Sequence, residues 1–140
     1  MIRKANSNDL RRIIDITKAC AKLMISKNIF QWNEFYPNLE TFKKDVINQS
    51  LYVIENNKEV IGCLVISDHM DEFYYKVKWL TPNTKNGYLH RLAIHPDYQR
   101  KGFAKKLMKY AFNFSKENGF KSIRLDTFSG ILKTTFFIKV

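Results

Sequence analysis

The chain has 140 residues, with 24 Lys and Arg against 13 Asp and Glu for a formal charge of +11, and 45% of it is hydrophobic and 14% aromatic. That length suits one packed domain spanning residues 1–140, and the apolar content excludes a disordered chain. No run approaches the roughly 18 consecutive apolar residues of a membrane span, and the N-terminal MIRKANSNDL lacks the apolar segment of a leader peptide.

These features point to a cytoplasmic protein with no membrane partner. Cys20 and Cys63 lie far apart inside apolar periodic stretches, so they read as small buried hydrophobes, and no metal is expected. The positive charge favours an anionic partner: nucleic acid, a membrane surface or a phosphate-bearing small molecule. Because the lysines are scattered rather than gathered in one tail, charge alone does not choose among them.

In chain order, Met1 to Ala5 suits a short strand. Asn6-Ser7-Asn8-Asp9 supplies cap residues for a helix whose Leu10, Ile13, Ile14, Thr17, Ala21 and Met24 recur at the spacing of one apolar face. The aromatic NIFQWNEFY, Asn28 to Tyr36, is irregular. After Pro37, Asn38 caps a second helix with Phe42, Val46 and Ile47 inward, ending near Gln49-Ser50. LYVIE and EVIGCLVIS are β-branched runs joined by Asn56-Asn57-Lys58, which predicts a hairpin.

Asp71 to Leu80 reads as extended, and Thr81 to Gly87 as a turn-rich loop before the strand Tyr88 to Ile94. His95-Pro96-Asp97 stops that strand. A helix then spans about Arg100 to Asn118, with Ala104, Leu107, Met108, Ala111 and Phe112 on one face and Gly119 as its stop. Lys121 to Phe128 is a strand, and Ser129 to Val140 suits the start of one more helix. The order βααβββαβ(α) implies an α/β fold of the α+β kind, a mixed sheet covered by helices.

The stretch Gln99-Arg100-Lys101-Gly102-Phe103-Ala104 joins a strand to a helix through a glycine, with Lys105 following. The first N–H groups of a helix lack intrahelical partners and the helix dipole is positive there, so this is an anion site. Gly102 permits close approach, Ala104 keeps the turn uncluttered, and Arg100, Lys101 and Lys105 add charge for a phosphate. Neither a nucleotide P-loop nor a dinucleotide glycine fingerprint is present.

The stretch resembles the pyrophosphate loop of the GNAT superfamily of acyl-CoA-dependent N-acyltransferases, Gln/Arg-x-x-Gly-x-Gly/Ala. The context agrees, with Leu92-Ala93-Ile94-His95-Pro96 before it, a long amphipathic helix after it and the strand IRLDT next. The chain is similar to small bacterial members that carry Gln31-Trp32 and Tyr36-Pro37 after the first helix. The resemblance implies an acetyltransferase with acetyl-CoA as co-substrate, no metal, and a small-molecule or peptide amine as acceptor. It also implies that the fourth strand splays from the fifth, that main-chain groups of Leu92, Ala93 and Ile94 hold the pantetheine arm, and that Gln99 to Lys105 form the pyrophosphate loop. The side chains of Leu92 and Ile94 belong to the core in any case.

Acetyl transfer needs a neutral amine and stabilisation of an oxyanion, which the resemblance assigns to a strand N–H of Ile94 or Leu92. Many members carry a Glu early in that strand; here Tyr88 stands there, and His90 shares its face unless a bulge intervenes. An ordinary histidine pKa of about 6.5 suits His90 to act as base or relay, although a packed histidine is the competing reading. Trp32, Glu34, Tyr36 and the Asp71-Glu72 pair border the acceptor pocket in the family, and aromatics there are equally explained as core.

The C-terminal segment departs from the family. Ile131 stands at the position of a cofactor-binding Asn, Ile138 at that of an acidic Tyr, and the sequence ends at Val140 before the last family strands. The expected consequences are an exposed edge at Lys121 to Phe128 and a homodimer through this region, or a compromised enzyme. Two rival readings are an acyl-CoA-binding or regulatory module without turnover, and a nucleic-acid binder, against which stands the lack of any such motif or aromatic-basic stripe.

Overall fold

The structure, a computed structural model, describes residues 1–33, 35–68, 86–129 and 132–139, of which 126–129 and 132–139 are described as backbone only. The elements are β1 (Ile2–Lys4), α1 (Leu10–Ser26), α2 (Leu39–Ile47), β2 (Leu51–Asn56), β3 (Glu59–Ser67), β4 (Asn86–Ile94), α3 (Phe103–Glu117), β5 (Ser122–Ser129) and β6 (Leu132–Lys139). The strands form one sheet in sequence order, antiparallel throughout except for the parallel pair β4–β5.

Local chemistry explains most of these boundaries. Asn6 and Asp9 form a reciprocal capping box on the short 3-10 turn that leads into α1. The Asn38 carboxamide accepts from the Thr41 N–H at 3.0 Å and starts α2. Asn57 and Lys58, both at positive φ (51° and 65°), make the two-residue turn between β2 and β3, the backbone hand that matches strand twist. Gly119 at φ 73° closes α3.

Both faces of the sheet are covered, which is why β2 and β3 read as nearly continuous apolar runs. Leu51, Val53, Cys63 and Val65 face α1 and α2, where Ile13 and Ile16 of α1 and Phe42 of α2 complete one cluster; Tyr52, Ile54, Leu64 and Ile66 face α3, where Leu107 and Ala111, with Ile123 of β5, complete the other. Burying each Val, Leu, Ile or Phe side chain among them contributes about 1.5–3 kcal/mol.

Three expectations change. The C-terminal segment is the strand β6 and not a helix, pairing with β5 from Ser122↔Lys139 to Ser129↔Leu132. Its β-branched and aromatic LKTTFFIK suits a strand, and it covers the edge of β5 that would otherwise stand open. The edge that motivated a dimer is thus paired within the chain. Second, Ile47 is 77% exposed while Asp45 is buried, because Asp45 has a charged partner on β4. Third, Asn86 and Gly87 begin β4 rather than ending a loop, and α3 begins at Phe103, with Ala104 exposed. Glu34, the extended reading of Asp71 to Leu80 with its Asp71-Glu72 pair, and Ile131 lie outside the described residues, as does the side chain of Ile138.

Candidate functional site

The site is built where β4 leaves the sheet. β4 pairs with β5 only over Asn86↔Ser122, Gly87↔Ile123 and Tyr88↔Arg124, so the two strands part beyond Tyr88. On the other side β4 stays paired to β3 up to Gly62↔Ile94. A gap therefore opens beside Leu92, Ala93 and Ile94.

A bulge sets which groups face that gap. Cys63 pairs with Ala93 and Val65 with His90, so Arg91 and Leu92 together oppose the single Leu64. Arg91 takes φ 51° to make the bulge. Side-chain alternation is reversed across it: Tyr88, His90 and Arg91 share the α1–α2 side, Leu89 and Ile94 pack on the α3 side, and Ala93 packs back towards α1. The His95 N–H donates to the Ile61 carbonyl at 2.8 Å, which makes Gly62–Ile94 a non-hydrogen-bonded pair and turns the Ile94 N–H and C=O away from β3.

Gly62 is required by this approach. A Cβ there would stand 2.5 Å from Ile94 Cδ1 and 2.7 Å from the Ala93 carbonyl oxygen. The bulge is pinned from the helical side by Arg91, whose Nε and Nη2 donate to the two Asp45 oxygens at 2.8 and 2.7 Å and whose Nη1 donates to the Tyr36 hydroxyl at 3.1 Å. Burial lowers the Arg91 pKa, but the bonds and charge of Asp45 outweigh it, so the net direction is up and the guanidinium stays charged.

The Ile94 carbonyl accepts from the Cys20 thiol at 3.1 Å and from Gln99 Nε2 at 2.9 Å. Gln99 thus ties the loop that follows β4 to its last residue, and Cys20 ties both to α1. Burial pushes the Cys20 thiol up to about 11 and the Cys63 thiol up to about 12, so both remain protonated.

After β4, His95 Nδ1 accepts from the Asp97 N–H at 3.1 Å and holds a short turn. Arg100 and Gly102 both take positive φ, 61° and 88°, and deliver the chain into α3. The first helical bond is from the Lys106 N–H to the Gly102 carbonyl at 3.1 Å, leaving the N–H groups of Phe103, Ala104 and Lys105 without intrahelical acceptors. Among the described residues no side chain caps this end, and no acidic residue sits in its first turn. Among the described residues, a Cβ on Gly102 would meet nothing within 4 Å. Arg100, Lys101 and Lys105 are exposed around it, Lys101 lying 5.7 Å from the Tyr98 ring centre. This cradle fits a pyrophosphate: open space, three donors, a positive helix end and flexible cations.

Of the two candidate catalytic residues, Tyr88 is buried and its hydroxyl accepts from Arg124 Nη1 at 3.4 Å, with the Arg124 guanidinium 5.9 Å from its ring centre. His90 is half-buried and lines a cavity of about 520 Å3 with Asp45, Ser50, Ser67, Asp68 and Arg91. Trp32 is a core residue, 4% exposed. Sequence reading missed Arg91, Asp45, Cys20 and Gly62, since LHRLAI reads as a plain strand and gives no sign of its extra residue. Among the described residues no group of three or more His, Cys, Asp or Glu is placed to hold a metal, and no helix is long and apolar enough to cross a membrane.

The family model for the acetyltransferase (GNAT) family matches residues 17–134. No curated protein sequence matches the chain. Among solved structures, one described as an acetyltransferase from Staphylococcus aureus Mu50 is similar over 99% of this chain and 98% of its own at 26% identity and TM-score 0.81. A GNAT-family acetyltransferase from Listeria monocytogenes matches over 100% and 94% at 16% identity and TM-score 0.80. N-acetylglutamate synthase from Neisseria gonorrhoeae, solved with coenzyme A and N-acetylglutamate, matches over 91% of this chain and 25% of its own at 15% identity and TM-score 0.63. The parted β4 and β5, the loop from Gln99 and a family match over most of the chain lead to one conclusion: the protein belongs to the acetyltransferase (GNAT) family and is an N-acyltransferase.

Proposed function

We propose that the chain transfers an acetyl group from acetyl-CoA to a primary amine by direct attack in a ternary complex. The observation that supports this most is that β4 and β5 part beyond Tyr88 and that the chain leaving the end of β4 opens the N-terminus of α3, where no side-chain cap bond is made among the described residues. Acetyl-CoA supplies an activated acyl carbon: the amine nitrogen bonds to it, the C–S bond breaks, one amine proton is lost and the sulfur leaves as a thiol.

The chain's residues divide the work. The N–H groups of Phe103, Ala104 and Lys105, with Arg100, Lys101 and the open face of Gly102, hold the pyrophosphate. Main-chain groups of Leu92 and Ile94 hold the pantetheine arm; Ala93, whose carbonyl lies against Gly62 and which pairs with Cys63, keeps its main chain on β3 and lines the strand between them. Since the Ile94 carbonyl is already bonded twice, its N–H is the group that remains for the ligand and for a developing oxyanion. Gln99 acts through Ile94 by fixing that residue.

His90, which faces the larger cavity, takes the amine proton, and Tyr88, held by Arg124, lies two residues away on the same face. The acceptor enters through that cavity. The reading is tested by following thiol release from acetyl-CoA with a panel of primary amines for the intact chain and for His90→Ala. Amine-dependent release that falls about a hundredfold or more in the variant supports the assignment; equal rates remove His90 from the chemistry.

A further inference from the structure

A second, smaller cavity of about 180 Å3 lies between α1, the segment after it and the end of β4. Leu23, Met24, Ile29, Trp32 and Leu92 form most of its lining. Cys20 and Gln99 complete it, but the Cys20 thiol and an amide hydrogen of Gln99 are spent on the Ile94 carbonyl. Among the described lining residues the one ionisable group besides that buried thiol is Lys27, an exposed cation, and there is no carboxylate. Such a chamber repels an ammonium group and offers it no counter-charge, so it is unsuited to the reacting end of an amine.

An apolar chain suits it. A cavity of about 150 Å3 lined by similar side chains holds a benzene-sized group, so this one holds about six carbons, whereas an acetyl group would bring a single methyl. Its location names the source of that chain. Leu92 belongs both to the lining and to the main-chain segment proposed to hold the thioester, and Gln99 opens the pyrophosphate loop. A chain entering here starts at the acyl carbon.

We infer that this cavity receives the acyl chain of the donor, and that the protein binds saturated acyl-CoA thioesters of about four to six carbons more tightly than acetyl-CoA. The inference rests on the proposed cofactor site. No residue of the chain need move a proton for it; the preference comes from methylene groups leaving water against Leu23, Met24 and Trp32.

The test is calorimetric titration of acetyl-, propionyl-, butyryl- and hexanoyl-CoA into the full chain. Affinity should rise about fourfold for each methylene added until the cavity is full. Leu23→Trp, which fills the cavity from a half-buried position, should collapse the hexanoyl-to-acetyl ratio towards one, and Met24→Phe is the second variant should the first melt early. Equal affinities across the series would overturn the chain preference alone. The same holds if the series is flat and Leu23→Trp instead weakens apolar acceptors, since the cavity would then belong to the acceptor. Failure of every thioester to bind would overturn the cofactor site and this inference together.

Discussion

Arg91→Met tests how the bulge of β4 is held. The Arg91 and Asp45 side chains are 12% and 8% exposed and joined by two bonds of 2.7 and 2.8 Å. Removing the guanidinium strands a buried carboxylate, at a cost of about 3–5 kcal/mol. For a chain of this length about 3 °C is lost per kcal/mol, so the midpoint should fall by about 9–15 °C. Methionine keeps the stem and faces the same positive-φ penalty, so backbone strain cancels in the comparison. The double variant Asp45→Leu/Arg91→Met should recover most of the loss, because apolar side chains of similar volume can replace a buried ion pair at little cost. Urea unfolding of the four species gives the coupling, expected at about 2 kcal/mol or more. A single variant within about 1 kcal/mol of the parent, or strictly additive losses, would refute the view that this pair clamps the strand.

Other outcomes follow from the same geometry. Gly62→Ala should destabilise by about 1–3 kcal/mol in a urea melt and weaken CoA binding, since its methyl would collide with the Ala93 carbonyl and Ile94; a neutral melt would contradict the close approach. Gly102→Ala meets open space but holds φ 88°, so it should cost about 1 kcal/mol in the same melt with no change in the core. The bonds from Arg3 lower the Asp9 pKa on folding, outweighing burial. As pH falls the unfolded chain therefore takes the proton first, and the stability Asp9 provides above its ordinary pKa of about 4 is lost as pH drops through its lower folded value. Asp9→Asn should flatten stability over that acid range; an unchanged slope would remove Asp9 as its source. Cys20 and Cys63, raised to about 11 and about 12 by burial, should resist an aromatic disulfide reagent at pH 8 until the chain is unfolded. Rapid labelling of the native chain would contradict their burial.

Much of the fold was legible because local rules and burial agree. Asn38 caps its helix, Asn57-Lys58 turns its hairpin, and Gly102 at φ 88° sits where the loop needed glycine. The candidate anion site at the start of α3 was visible because its donors are backbone N–H groups, and those follow from where a helix begins. The bulge was not, since one extra residue in LHRLAI leaves composition untouched while moving Arg91 onto Asp45. That pairing also explains Ile47: the α2 position turned inward is Asp45, and no periodicity rule buries a carboxylate without knowing its partner. The C-terminal segment misled for a similar reason, because KTTFFIK suits either period and only the open edge of β5 decides for a strand.

Titration calorimetry of acetyl-CoA against the intact chain and an Arg100→Ala/Lys101→Ala variant tests the central claim most directly. The cradle at the start of α3 predicts binding to the intact chain and a loss of about tenfold or more in the variant, with an unchanged melting curve. Affinity equal in both, or no binding to the intact chain, would contradict a pyrophosphate held by this loop.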